Sequence, residues 1–249
     1  MKIAVAGATG RLGHHVVAVL EERGHAVVPM ARATGVDVIT GAGLEDALTG
    51  VELVVDAATG PSPERQAATD FFITAARNMQ ETGVRTGVQR AIVVSIIGAG
   101  KFTGGYGVAK IAQEDAWQSG PIPVRIVRPA QFHEFVAQLL AWGTHDDVGT
   151  VPVMRTQIVA ARAVAEVIVD VAEASWTGTA EPIEVAGPRE EDMVALASML
   201  AARRGTPTTV EGAADPADHD AVMQATGGLL PGPTARLVGP TFQEWLDRE

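Results

Sequence analysis

The chain has no cysteine. Disulfides and thiolate chemistry are therefore excluded, and a cytoplasmic location is expected. Aromatic residues are scarce, with six Phe, four Trp and a single Tyr among 249 residues. Lysine is scarcer, three against sixteen arginines, and the formal net charge is −11. A protein that grips nucleic acid needs a basic face, and no Lys/Arg cluster supplies one. Arg203-Arg204 is a short pair at an expected helix end, where cations are favoured anyway. No apolar run approaches the roughly 20 residues of a membrane-spanning helix. The longest, AIVVSII at 91–97, has the length of a strand. Met1-Lys2 runs straight into IAVAG, so no signal peptide is expected before the fold. What remains is ordinary globular material, 47% hydrophobic and 20% charged, sufficient for one large domain or two small ones.

Strands and helices alternate through residue 129. Strands are expected at 2–7, 25–32, 36–39, 52–58, 91–97 and 123–129. Helices are expected at 14–24, from Pro63 to about Thr82 with Gly83 as its stop, and at 106–120. LEDAL at 44–48 reads as a helical turn. The strands are continuous apolar runs rather than alternating ones, which indicates a parallel sheet covered on both faces. Beyond 129 the pattern predicts helices at about 134–142, 161–174 and 190–204 and a strand at 183–187. The segment WGTHDDVGTVP reads as a loop, and the Gly/Pro-rich tail as loop plus one short helix.

GATGRLG places Gly7, Gly10 and Gly13 directly after the first strand and at the opening of the first helix. That context is what a dinucleotide-binding loop requires. Glycine permits the tight turn and close approach to a pyrophosphate, and the helix N-terminus offers free N–H groups to the anion. The expected loop contacts are Gly7, Thr9, Gly10, Arg11, Leu12 and Gly13. An NAD-preferring site usually ends its second strand with an acid; here the strand ends MAR, with Arg32 in that region and Asp37 too late. Arg32 and Arg11 together favour the 2′-phosphate of NADP over NAD. Ala57, Ala58 and Ser95, at the ends of later strands, complete the expected cofactor contacts.

Tyr106, the sole tyrosine, and Lys110 stand four apart in YGVAK and share one helical face. A chain that uses Arg wherever only charge is needed keeps Lys here, which points to a need for a compact ammonium. The glycine loop, YGVAK after the strand at 91–97, and RPAQF after the strand at 123–129 resemble the short-chain dehydrogenase/reductase superfamily. GATGRLG and QFHEF most resemble its atypical NmrA-like branch. The resemblance covers about 1–135 closely and the remainder loosely. It implies that Tyr106 donates a proton to a substrate oxygen while the cofactor delivers hydride. It also implies that Lys110 lowers the phenol's pKa and binds the nicotinamide ribose. The sequence departs from the family at SIIG: Ser95 matches the first serine of a frequent pair, Ile96 stands at the second, and Thr103 is a possible substitute. Gly43-Leu44 stands where the family often carries an acid.

The fold expected is α/β, a Rossmann-type doubly wound parallel sheet over 1–130 with a small C-terminal substrate lobe over 131–249, some of whose segments return to the core. Phe132 and His133, after the strand at 123–129, are the expected substrate wall. His14-His15 read as solvated helix residues. HDD at 145–147 and DHD at 218–220 lack a second cluster at ligand spacing, so no metal site is expected. The four tryptophans read as packing residues. The function expected is an NADP-dependent oxidoreductase acting on a small carbonyl or quinone-like substrate. The alternative is a dinucleotide-sensing regulator without turnover. Small molecules are the expected partners, not nucleic acid or membrane, and the sequence leaves the oligomeric state open.

Overall fold

The computed structural model describes residues 1–178 and 180–248. In chain order the elements begin β1 (Lys2–Ala6), α1 (Gly13–Glu22), β2 (Ala26–Met30), α2 (Leu44–Leu48), β3 (Leu53–Asp56), α3 (Arg65–Thr86), β4 (Arg90–Val94), α4 (Gly105–Gln118) and β5 (Val124–Pro129). Then come α5 (His133–Gly143), β6 (Thr144–His145), β7 (Val148–Pro152), β8 (Arg155–Thr156), α6 (Ala161–Glu173) and β9 (Ile183–Ala186). The chain ends through β10 (Glu191–Asp192), α7 (Met193–Arg204), β11 (Thr209–Ala213), α8 (His219–Ala225), β12 (Arg236–Leu237) and α9 (Phe242–Leu246). Two compact units result. The first takes Met1–Ser95, Gly104–Arg128 and Val164–Ile183; the second takes Ile96–Thr103, Pro129–Ala163 and the chain from Glu184 onward.

The first unit is built on parallel strands in the order β5-β4-β3-β1-β2. Successive strand side chains point to opposite faces. Ala4, Ala6, Val54, Ala91, Val93, Val124 and Ile126 join a buried cluster with Leu44, Leu48, Ala75, Ala76, Met79 and Trp117 of α2, α3 and α4. The alternate residues Ile3, Val5, Leu53, Val55 and Ile92 are fully buried as well, so the other face is also covered. α1 and α6 are tied together by Arg23, which reaches Asp170 and Glu173 at 2.8 Å each. This is the Rossmann-type α/β architecture, with its loops gathered at the carboxyl ends of the strands.

In the second unit β11-β7-β6 form one small sheet, β10 pairs with β8, and β9 with β12. The segment expected as a loop at 142–152 is thus a hairpin. Asp146 and Asp147 take φ of 47° and 65° in its two-residue turn, a conformation that Asp tolerates better than most residues. The tail, expected to hold one helix, holds α8, β12 and α9.

Three further expectations are corrected. Residues 36–39 form a turn, because the Asp37 carboxylate accepts from the N–H of Ile39 at 2.8 Å and Asn78 donates to the carbonyls of Val38 and Ile39. These side-chain bonds take the place of a ladder. Gly83 does not stop α3, which runs to Thr86 and ends at Gly87 with φ of 85°. A Cβ at Gly83 would stand 2.8 Å from Ile122 Cδ1, so this glycine serves close packing. The strand expected at 91–97 is shorter at its carboxyl end, leaving Ser95–Ile97 beyond β4.

Candidate active site

The glycine loop follows β1 and leads into α1. Gly7, with φ of 76°, and Ala8 donate their N–H groups to Met30 O at 3.0 and 3.3 Å, and Gly10 N–H turns back to Gly7 O at 2.9 Å. A Cβ on Gly7 would stand 2.6 Å from Ala57 O, and one on Gly13 only 2.0 Å from Gly7 O. Gly7 therefore lets the loop lie against β3's continuation, and Gly13 lets α1 start against the loop. Ala8, Leu12 and Gly13 are buried while Thr9, Gly10 and Arg11 are exposed at the rim. No side chain caps α1 and no acid lies in its first turn. That is the chemistry an anionic pyrophosphate requires. His14, exposed, bonds Gly10 O at 2.8 Å and so braces the turn.

Arg32 is exposed in the short 3₁₀ turn that follows β2. Ala57 and Ala58 follow β3, and Ala58 is buried. Ser95 is buried at 1% exposure just past β4, and its hydroxyl has no partner among the described residues. Gly7 and Ala57 are in direct proximity, and Ser95 adjoins Val94, which contacts Lys110.

α4 carries Tyr106 and Lys110 on one face, as their spacing requires. The Lys110 ammonium is buried. It donates to Val94 O at 2.6 Å and to Gln113 Oε1, and lies 4.4 Å from the centroid of the Phe72 ring on α3. A desolvated ammonium over an aromatic face gains about 2 kcal/mol. Gln113 passes the contact on, since its Nε2 donates to Asp56 Oδ2 at 2.9 Å. Trp117 Nε1 donates to the same oxygen at 2.9 Å, and Ala58 N–H to Asp56 Oδ1 at 3.2 Å. The register that aligns Asp56 with Val93 brings β3 and β4 to this point together. Burial pushes the Lys110 pKa down to about 8, against the opposing pull of Asp56 and Glu114.

Tyr106 packs edge-on against Phe72, with ring centroids 5.6 Å apart. Burial first, and the Asp56 charge second, push its phenol up to about 12. This corrects the expectation that Lys110 lowers it. The ammonium is aimed inward at Val94 and Gln113, and its Nζ is 5.8 Å from the Tyr106 ring centroid.

Other expectations change. Thr103 does not supply a spare hydroxyl, because its Oγ1 and its N–H both donate to Asp220 at 2.9 Å. His133 is fully buried with its ring 5.5 Å from Phe242 and 5.4 Å from Trp245, so it is a packing residue of the second unit and not a substrate wall. Phe132 is half-buried at the N-cap of α5. Three carboxylates of the two acidic clusters have local uses: Asp147 accepts from Thr206 and Thr208, Asp218 caps α8, and Asp220 holds Thr103.

Burial pushes His133 down to about 4 from the ordinary 6.5. Between those values the unfolded chain binds a proton that the folded chain refuses, so stability falls as pH drops through this window. The shift corresponds to on the order of 3 kcal/mol. His133→Leu is expected to flatten this acid limb in urea titrations run from pH 7 to pH 4. An unchanged limb would mean that His133 is not the group responsible.

Asp56, Gln113, Trp117 and Phe72 were not anticipated. A signal existed for three of them: Asp56 is the lone acid closing an apolar strand, and Gln113 and Trp117 stand three and seven residues after Lys110 on its own helix.

A family model described as NAD(P)H-binding matches residues 7–175, well over half of the chain. No curated protein matches the sequence. Among solved structures, MoeE5 in complex with UDP-glucuronic acid and NAD is 16% identical, with TM-score 0.76 over 99% of this chain and 97% of that one. A short-chain dehydrogenase/reductase superfamily protein from Agrobacterium tumefaciens with bound NAD is 18% identical, with TM-score 0.69 over 100% and 95%. An NADPH-dependent quinone oxidoreductase from Escherichia coli is 19% identical, with TM-score 0.71 over 99% and 98%. At such identities the likeness is one of fold. Among the described residues no helix is long and apolar enough to cross a membrane.

Proposed function

Because the chain belongs to the NAD(P)H-binding family, we propose that it is an NADP-dependent oxidoreductase of the atypical short-chain dehydrogenase/reductase type that reduces a small carbonyl or quinone-like substrate. The observation that carries this reading is the Tyr106–Lys110 face of α4, with the phenol ring packed on Phe72 and the ammonium fixed on Val94 O. Gly7, Thr9, Gly10, Arg11, Leu12 and Gly13 hold the pyrophosphate at the uncapped end of α1. Arg32, with Arg11, takes the 2′-phosphate; Ala57, Ala58 and Ser95 line the cofactor, and Lys110 anchors its ribose end. NADPH, when bound, supplies the hydride. Tyr106 gives its phenolic proton to the substrate oxygen that becomes anionic, and bulk water restores it. Phe132 remains the candidate for substrate contact. The quinone class is supported by the fold shared with the Escherichia coli enzyme.

A second reading, a dinucleotide-sensing regulator without turnover, is favoured by Ile96 at the usual second serine and by the commitment of Thr103 to Asp220. Both readings require NADPH binding; only the first consumes it. Calorimetric titration with NADPH and NADH, followed by a screen of carbonyls and quinones for NADPH oxidation, separates them. Tight binding without oxidation of the cofactor by any acceptor would support the regulator.

Arg32→Ala is expected to weaken NADPH by about 10- to 100-fold, the effect of losing one charge-assisted contact, and NADH by much less. Equal losses for the two cofactors in the same titration would remove Arg32 from the 2′-phosphate site.

A further inference from the structure

Asp56 and Lys110 are both buried, at 1% and 3% exposure, and among the described residues neither has an ion-pair partner in direct contact. Each is satisfied by neutral groups: Asp56 by Gln113, Trp117 and the Ala58 N–H, Lys110 by Val94 O and Gln113. Among the described residues Gln113 is the one side chain that bonds both. Its amide can be oriented in one way only, oxygen to the ammonium and NH₂ to the carboxylate. An isolated buried charge of either sign is strongly disfavoured, so each of these two needs the other's field.

We propose that Asp56 is a positioning residue for Lys110, its carboxylate acting across Gln113 to keep the ammonium charged and aimed at the carboxyl end of β4. This rests on the reading of Lys110 given under Proposed function. The amide relays charge and not a proton, because both of its ends are already committed. Among the described residues the groups facing Lys110 are Asp56 from β3, Val94 at the β4 end, Phe72 from α3, and Tyr106, Gln113 and Glu114 from α4 itself. Glu114 is the competing anion, but Arg128 of β5 grips it through two bonds of 2.9 and 2.6 Å. Its charge is therefore largely cancelled, whereas that of Asp56 is not.

The scarcity of lysine makes the test direct. In protein labelled with ¹⁵Nζ-lysine only Lys2, Lys101 and Lys110 report, and Lys110→Arg assigns the third signal. The Lys110 signal is expected to titrate near pH 8, well below the other two. Asp56→Asn keeps the side-chain size and is expected to lower that midpoint by at least about one unit, a tenfold change in proton affinity. Glu114→Gln is expected to move it less. Gln113→Met, which keeps both charges and removes the bridge, is expected to lower it as well, and serves if Asp56→Asn does not fold. In the assay of NADPH-dependent reduction, the alkaline limb of the pH profile shifts downward with the midpoint. A Lys110 midpoint that is unchanged in Asp56→Asn and Gln113→Met, or moved as far by Glu114→Gln as by Asp56→Asn, overturns the proposal. The spectroscopic titration uses neither cofactor nor substrate. If the midpoint shifts but no acceptor is reduced, the functional reading fails and the positioning role stands.

Discussion

On the proposed function, Tyr106→Phe is expected to lower kcat for NADPH-dependent reduction by about 10²- to 10⁴-fold, the range that a positioned acid contributes, and to leave NADPH affinity nearly intact. The substitution removes one oxygen and keeps the ring. The contact with Phe72 at 5.6 Å and the packing beside Ala68 and Ala109 survive, so a fold defect is not an alternative explanation. Lys110 keeps both of its hydrogen bonds, because neither runs to Tyr106. The phenol's elevated pKa also fixes a sign in stability. Between the ordinary 10 and about 12 the folded chain retains a proton that the unfolded chain has lost. The stabilisation is complete below pH 10 and disappears as pH rises through this window, and Tyr106→Phe abolishes that dependence. Undiminished reduction of every accepted substrate by the variant would refute Tyr106 as the acid.

Gly13→Ala has the second large effect. The added carbon would lie 2.0 Å from Gly7 O, 2.7 Å from Gly7 C and 3.0 Å from Ala8 Cα, all of them backbone. No rotamer change relieves such contacts, so α1 must withdraw from the loop at a cost of at least about 1–3 kcal/mol. The anion cradle is lost with it. NADPH binding is expected to fall by about 100-fold or more, as for a site that loses several oriented donors at once, with a lower melting temperature. Gly10→Ala is the control. Its Cβ would meet Gly7 O at 3.1 Å, an adjustment of a few tenths of an ångström, at an exposed rim position. This variant folds but obstructs the approach of the pyrophosphate. Calorimetry and thermal denaturation of both variants separate packing from binding; wild-type NADPH affinity in Gly13→Ala would sink the assignment of the loop.

The parallel core and the glycine loop were legible because they rest on local rules. Apolar runs such as LVVD and AIVV have few alternatives to a strand buried on both faces, and GATGRLG carries its own geometry. Legibility failed where a tertiary partner decides. Val36–Ile39 has the composition of a strand, yet Asn78, some forty residues away, takes two of its carbonyls. Gly83 has the look of a helix stop, but the side chains of Ile122 and Val88 explain it. At the site, the Tyr106–Lys110 spacing located the face but not its electrostatics. The spacing says nothing of Phe72 or Asp56, which come from α3 and β3, and these set where the ammonium points and how firmly the phenol keeps its proton. His133 failed for the same reason, since Phe242 and Trp245 lie more than a hundred residues downstream.

The chain changes compact unit at five junctions, after residues 95, 103, 128, 163 and 183. Neither unit is therefore a contiguous cassette. A fragment cut near 130 would carry the glycine loop, Asp56, Tyr106 and Lys110 but leave behind α6, and with it the Asp170 and Glu173 that anchor Arg23. Such a fragment exposes the apolar face on which Val164, Ile168 and Val171 are buried in the whole chain, and it is an aggregation hazard rather than a minimal dinucleotide binder. The same interleaving constrains heredity: a new second unit cannot be acquired by one end-to-end gene fusion, and variation in it must accumulate in separate inserts while the first unit stays whole.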